Sequence, residues 1–79
     1  MNDLLPRVND VFRDVFDDDE LVVEMKTTAT DVPGWDSLMH VRLMIAMEKA
    51  FQMRFLSSEV ASLKNVGELV SLISAKTGT

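Results

Sequence analysis

The apolar residues of this chain return every three or four positions, and that spacing limits it to helices, because no segment alternates in the manner of a strand. Leu4, Leu5, Val8, Val11, Phe12, Val15 and Phe16 fall on one stripe of an amphipathic helix that Asp3 is placed to cap. Pro6 is tolerable so near the start, where backbone donors lack intrahelical partners anyway. Asp17, Asp18, Asp19 and Glu20 end this helix, since carboxylates are unfavourable at the negative end of a helix dipole. A second helix is predicted from Ser37 to about Gln52. Ser57 or Ser58 caps a short helical turn through Leu63 that contributes Val60 and Leu63. Asn65 opens the last helix with Glu68 in a capping-box relation, Val66, Leu69, Val70, Leu72 and Ile73 supply its apolar side, and Gly78 stops it. The sequence therefore predicts an all-α fold, a small four-helix bundle of three longer helices and one short one, with a long loop between the first and second helices.

A chain of 79 residues has room for one hydrophobic core, so residues 1–79 are read as a single domain. With no cysteine there is no disulfide framework and no thiolate, and with His40 as the one histidine a protein-built zinc site has too few ligands. Thiol or metal chemistry would have to be imported. The formal charge of −5 argues against nucleic acid, whose phosphates call for Lys and Arg. No charge-free stretch approaches the roughly 20 apolar residues of a membrane span, and no basic patch followed by an apolar run opens the chain, so it reads as cytoplasmic. The opening Met and the polar tail fit a free-standing protein, expected to be a monomer. Charge is uneven: residues 1–36 hold ten acids and three bases, residues 37–79 three acids and five bases, so the two halves present different surfaces.

Residues 17–36 show neither period, although Leu21, Val22, Val23 and Met25 need cover. Loops of about 20 residues are uncommon in compact domains and tend to be functional. This one ends in Pro33-Gly34-Trp35-Asp36-Ser37, where Pro33-Gly34 marks a turn and Asp36 stands as cap of the next helix. Ser37 in the first turn of that helix has two readings. One is ordinary capping chemistry. The other is a site for a phosphate ester, because free backbone donors and the positive dipole end face an anion there.

Projected at about 100° per residue, the second helix separates two faces. His40, Leu43, Met44, Met47, Ala50 and Phe51 form a core face. Leu38, Val41 and Ile45 lie opposite, flanked by Arg42, Glu48, Lys49 and Gln52. That apolar stripe inside a polar rim is either covered by another helix or exposed as a docking strip.

Asp36-Ser37-Leu38, followed by Val41, Leu43, Glu48 and Phe51, resembles the acyl carrier protein signature Asp-Ser-Leu-x-x-Val-x-Leu-x-x-x-x-Glu-x-x-Phe. Phe55, Val60, Leu63, Val66 and Ile73 continue the likeness without a gap. The resemblance implies a right-handed four-helix bundle whose serine, here Ser37 beside Asp36, is esterified by 4′-phosphopantetheine from coenzyme A. It implies a carrier rather than an enzyme, holding acyl groups as thioesters, with a phosphopantetheinyl transferase and acyl-loading and acyl-processing enzymes as partners. By the same resemblance Leu38, Val41, Arg42, Ile45, Glu48 and Lys49 face those partners, and Met44, Met47, Phe55, Val60 and Leu63 shelter the tethered chain. Met39, Arg42 and Lys49 stand where the family commonly has acids, and Trp35 stands where it has a small residue. These departures point to a specialised lipid, polyketide or related acyl pathway rather than general fatty acid biosynthesis.

Two other readings compete. Asp36, Ser37 and His40 offer the residue types of a hydrolase, but Asp36 would have to reach the far imidazole nitrogen while capping the helix. An unmodified helical adaptor would dock through Leu38, Val41 and Ile45 without needing Ser37.

Overall fold

The computed structural model describes residues 4–78. They form α1 (Leu4–Phe16), a 3₁₀ turn (Ala29–Asp31), α2 (Ser37–Phe51), α3 (Ser57–Ser62) and α4 (Val66–Thr77), with no strand among the described residues. The predicted cap Asp3 lies outside them.

The stripe of α1 divides by depth: Leu4, Val8 and Phe12 are buried, while Leu5, Val11, Val15 and Phe16 pack around them half-covered. They meet Leu43, Met44, Met47 and Phe51 of α2 and Val66, Leu69, Val70 and Ile73 of α4 in one core. Asp17 takes a left-handed backbone (φ 52°), and the Asp18 amide donates to the Arg13 carbonyl at 3.0 Å, which ends α1 where the acidic cluster begins.

Hydrogen bonds hold the long loop, together with the burial of Val23 and Val32 in the core. The buried carboxamide of Asn9 accepts from the Val23 amide at 2.7 Å and donates to the Val23 and Leu5 carbonyls, each at 3.1 Å. Arg13 Nε donates to the Leu21 carbonyl at 2.7 Å. Further on, the Thr27 and Met25 carbonyls accept from the Val66 and Gly67 amides at 2.9 and 2.7 Å, binding the loop to the start of α4. Gly67 allows that approach, since a Cβ there would lie 2.9 Å from the Met25 oxygen. The cover expected for four loop residues reaches only two of them. Val23 is buried and Leu21 half-buried, but Val22 and Met25 are exposed, because Asn9 turns Val23 inward and so its neighbour outward, and the turn closed by the Thr27 amide on the Glu24 carbonyl swings Met25 to the surface.

Three local expectations are corrected. α3 starts at Ser57 itself, and its cap interaction runs from the Leu56 amide to Glu59 Oε1 at 2.8 Å, so neither Ser57 nor Ser58 caps it. In α4 Asn65 Oδ1 accepts from the Glu68 amide at 2.8 Å as a cap should, but Glu68 Oε1 accepts from Lys64, one residue before the cap, at 2.9 Å. Ala50 is exposed rather than core, since it lies at the edge of the core sector, about 100° round the helix from buried Phe51; its carbonyl accepts from Arg7 at 3.0 Å. Gly78, with φ 76°, closes α4 as expected.

Candidate functional site

Between the loop and α2 the chain makes a tight turn. The Trp35 amide donates to the Val32 carbonyl at 3.2 Å, Pro33 occupies the first central position, and Gly34 the second with φ 86°, a value a type II turn requires and glycine adopts without strain. Asp36 follows in an extended conformation, its Oδ1 accepting from the Met39 amide at 2.9 Å and its carbonyl from the His40 amide at 2.8 Å. Ser37 is thereby fixed as the first residue of α2, with an exposed side chain.

Ser37 lies at the edge of an open cleft of about 570 Å³, in the size range of small-molecule pockets, roughly 300–1,000 Å³. Its walls are mainly apolar: Val41 and Met44 from α2, Val60 from α3, Leu63 after it, and Leu69 from α4 beneath. Of the five residues read as sheltering a chain, Met44, Val60 and Leu63 line this cleft. Met47 and Phe55 do not. Met47 is fully buried on the side of α2 facing the core, and Phe55 packs against the core from the loop after α2, its amide held by Glu48 Oε2 at 2.8 Å.

Leu38, Val41 and Ile45 are 60%, 51% and 47% exposed, so no other helix of the described chain covers the stripe. Arg42 and Lys49 are exposed beside it. Glu48 is turned away, its carboxylate engaged by the Phe55 amide and lying 3.8 Å from Arg54 Nε, so the exposed rim of α2 is basic.

His40 is half-buried and both its ring nitrogens are taken. Trp35 Nε1–H donates to Nδ1 at 3.1 Å, which leaves the proton on Nε2 to donate to the Val60 carbonyl at 3.1 Å. The carboxylate of Asp36 is committed to the Met39 amide, so the three residues do not assemble a hydrolytic triad. Sequence reading missed the Trp35–His40–Val60 contacts and the cleft-lining Ala29, Lys64 and Asn65, which come from separate elements and share no spacing. Among the described residues no group of acids or histidine could hold a metal ion, and no helix is long and apolar enough to cross a membrane.

The bundle thus presents an exposed serine at a helix start, beside an apolar cleft and an uncovered apolar stripe. No family model matches the chain. It is 32% identical over 77 residues to the acyl carrier protein of Caulobacter vibrioides, covering 98% of this chain and 99% of that one. It is 31% identical over 71 residues to the acyl carrier protein of Clostridium acetobutylicum, covering 90% and 92%. The solution structure of holo acyl carrier protein from Geobacter metallireducens matches with a TM-score of 0.87 and 39% identity over 94% of this chain and 85% of that one. The chain belongs to the acyl carrier protein family; its function is to carry acyl groups, and it is not an enzyme.

Proposed function

We propose that Ser37 is the attachment point of 4′-phosphopantetheine. One observation carries the reading: the type II turn and the Asp36 cap hold an exposed hydroxyl at the positive end of α2, on the lip of an apolar cleft. In the transfer from coenzyme A, Ser37 Oγ would form the new bond to phosphorus as the P–O bond of the coenzyme's pyrophosphate breaks, releasing adenosine 3′,5′-bisphosphate, with the hydroxyl proton passing to that leaving group or to solvent. The positive end of α2 favours a phosphodiester, although the Asp36 carboxylate already takes the Met39 amide there, and Val41, Met44, Val60 and Leu63 offer apolar cover to a chain tethered at Ser37. Once attached, the group supplies the thiol that holds acyl cargo as a thioester, which a chain without cysteine lacks.

In this reading the protein is a cytoplasmic monomer, one carrier domain over residues 1–79, and a phosphopantetheinyl transferase and acyl-processing enzymes approach the stripe of Leu38, Val41 and Ile45. The basic rim of Arg42 and Lys49 supports a specialised lipid or polyketide pathway whose enzymes do not rely on an acidic carrier helix. Incubation with coenzyme A and a broad-specificity phosphopantetheinyl transferase, read by intact mass, tests the proposal. Addition of one phosphopantetheinyl group is expected, and an unchanged mass with several such transferases contradicts it.

A further inference from the structure

α3 has few attachments for an element that walls the cleft. None of its residues is fully buried; Val60 is half-covered, and Glu59 links the helix to the Leu56 amide at 2.8 Å and to Lys76 Nζ at 2.9 Å. So short a helix leaves its last carbonyls without intrahelical partners. The amide that would continue α3 onto the Val60 carbonyl, that of Lys64, donates instead to Glu68 Oε1 at 2.9 Å. The Val60 carbonyl is satisfied from α2, by His40 Nε2 at 3.1 Å. His40 is oriented by the Trp35 Nε1–H, its ring within 23° of the indole plane and the ring centroids 6.0 Å apart. Trp35 in turn stands edge-on to Phe12 at 5.3 Å and Phe16 at 6.4 Å on α1. One line of contacts thus runs from α1 through Trp35 and His40 to α3, and Trp35, His40 and Val60 all line the cleft beside Ser37.

We propose that Trp35 and His40 are positioning residues that latch α3 against α2 and so set how far the cleft opens to a chain tethered at Ser37, a statement that rests on the carrier reading above. The indole fixes the tautomer and ring plane of His40, and only the Nε2–H form can serve the Val60 carbonyl while accepting from Trp35. Loss of a single hydrogen bond of this kind eases local opening about fivefold to tenfold and leaves helices held by the buried core untouched.

The test uses Trp35→Phe, which keeps an aromatic ring against α1 but has no donor, with His40→Leu and His40→Gln, whose amide can still donate to the Val60 carbonyl. In the unmodified protein, amide exchange at Val60 and Ala61 should speed about fivefold to tenfold in Trp35→Phe and His40→Leu, with core amides of α1 and α4 within about twofold of wild type, and His40→Gln should recover part of the protection. In protein loaded with an octanoyl-phosphopantetheine arm, hydroxylamine should cleave the thioester several-fold faster in the first two variants. Exchange in α3 equal to wild type overturns the latch. Faster exchange with unchanged cleavage overturns its control of the cleft. Wild type that takes up no phosphopantetheine overturns the carrier reading alone, and the exchange experiment still decides whether the latch exists.

Discussion

Ile45→Asp separates a docking surface from a core face. Ile45 is 47% exposed, so about half of its side chain is lost from contact with the rest of the protein on substitution. Full burial of an isoleucine contributes about 1.5–3 kcal/mol, and half of that, about 0.8–1.5 kcal/mol, is the expected cost to stability. A domain of 79 residues has roughly 4–12 kcal/mol in hand, so the variant stays folded with a thermal midpoint lower by about 5–10 °C. At an interface the balance differs. A carboxylate placed without a partner in the centre of an apolar contact costs several kcal/mol, more than tenfold in affinity. Ile45 is a cleaner probe than Val41, which also lines the cleft beside Ser37. The assay is a thermal melt followed by the rate of phosphopantetheine loading and of acyl transfer by a partner enzyme at sub-saturating carrier. An unfolded variant would place Ile45 in the core; a folded variant used as fast as wild type would put the docking surface on another face.

Phe51→Ala should cost about 3 kcal/mol, measured by urea unfolding, because Phe51 is 92% buried on the core side of α2 and also loses the Arg7 guanidinium held 4.4 Å above its ring; a near-wild-type midpoint would contradict this. Arg42→Glu with Lys49→Glu should leave the melt within about 0.5 kcal/mol and change mainly the association rate with partner enzymes and its salt dependence, followed by stopped flow at two ionic strengths. The Leu56 amide, then Lys76, hold the Glu59 carboxyl below its ordinary value of 4.5. A lowered carboxylate stabilises the fold above its unfolded value, and that contribution is lost as pH falls through the lowered one. As pH falls from about 5 to about 3, wild type should therefore lose more protection in α3 than Glu59→Gln, as read by amide exchange.

What the sequence made legible is what short-range physics controls. The apolar period placed α1, α2 and α4, and the caps Asp36, Asn65 and Gly78 act where their residue types and positions put them. The angular separation of Leu38, Val41 and Ile45 from Leu43, Met44 and Met47 became a real difference in burial. What stayed hidden depends on residues far apart in the chain. Asn9, a polar residue between Val8 and Asp10, gives no hint that it will bury its amide to hold Val23, 14 positions on. His40 and Val60 are 20 positions apart, and a three-residue 3₁₀ turn at Ala29–Asp31 is too short to leave a period. Ala50 lies at the edge of the core sector, about 100° round the helix from buried Phe51, and is left exposed.

The central claim, that Ser37 is the residue through which this chain carries its cargo, is tested most directly by mapping the modification. Wild type and Ser37→Ala would be incubated with coenzyme A and a phosphopantetheinyl transferase, digested, and the modified peptide sequenced by mass spectrometry, with circular dichroism of both proteins as a check on folding. Asp36 still caps α2 in the variant and the exposed hydroxyl supports little packing, so its helical content and melt should match wild type within about 0.5 kcal/mol. The account predicts one phosphopantetheinyl group on Ser37 in wild type and none anywhere in Ser37→Ala; a folded Ser37→Ala that is modified to the same extent, or a wild-type adduct on another residue, would contradict it.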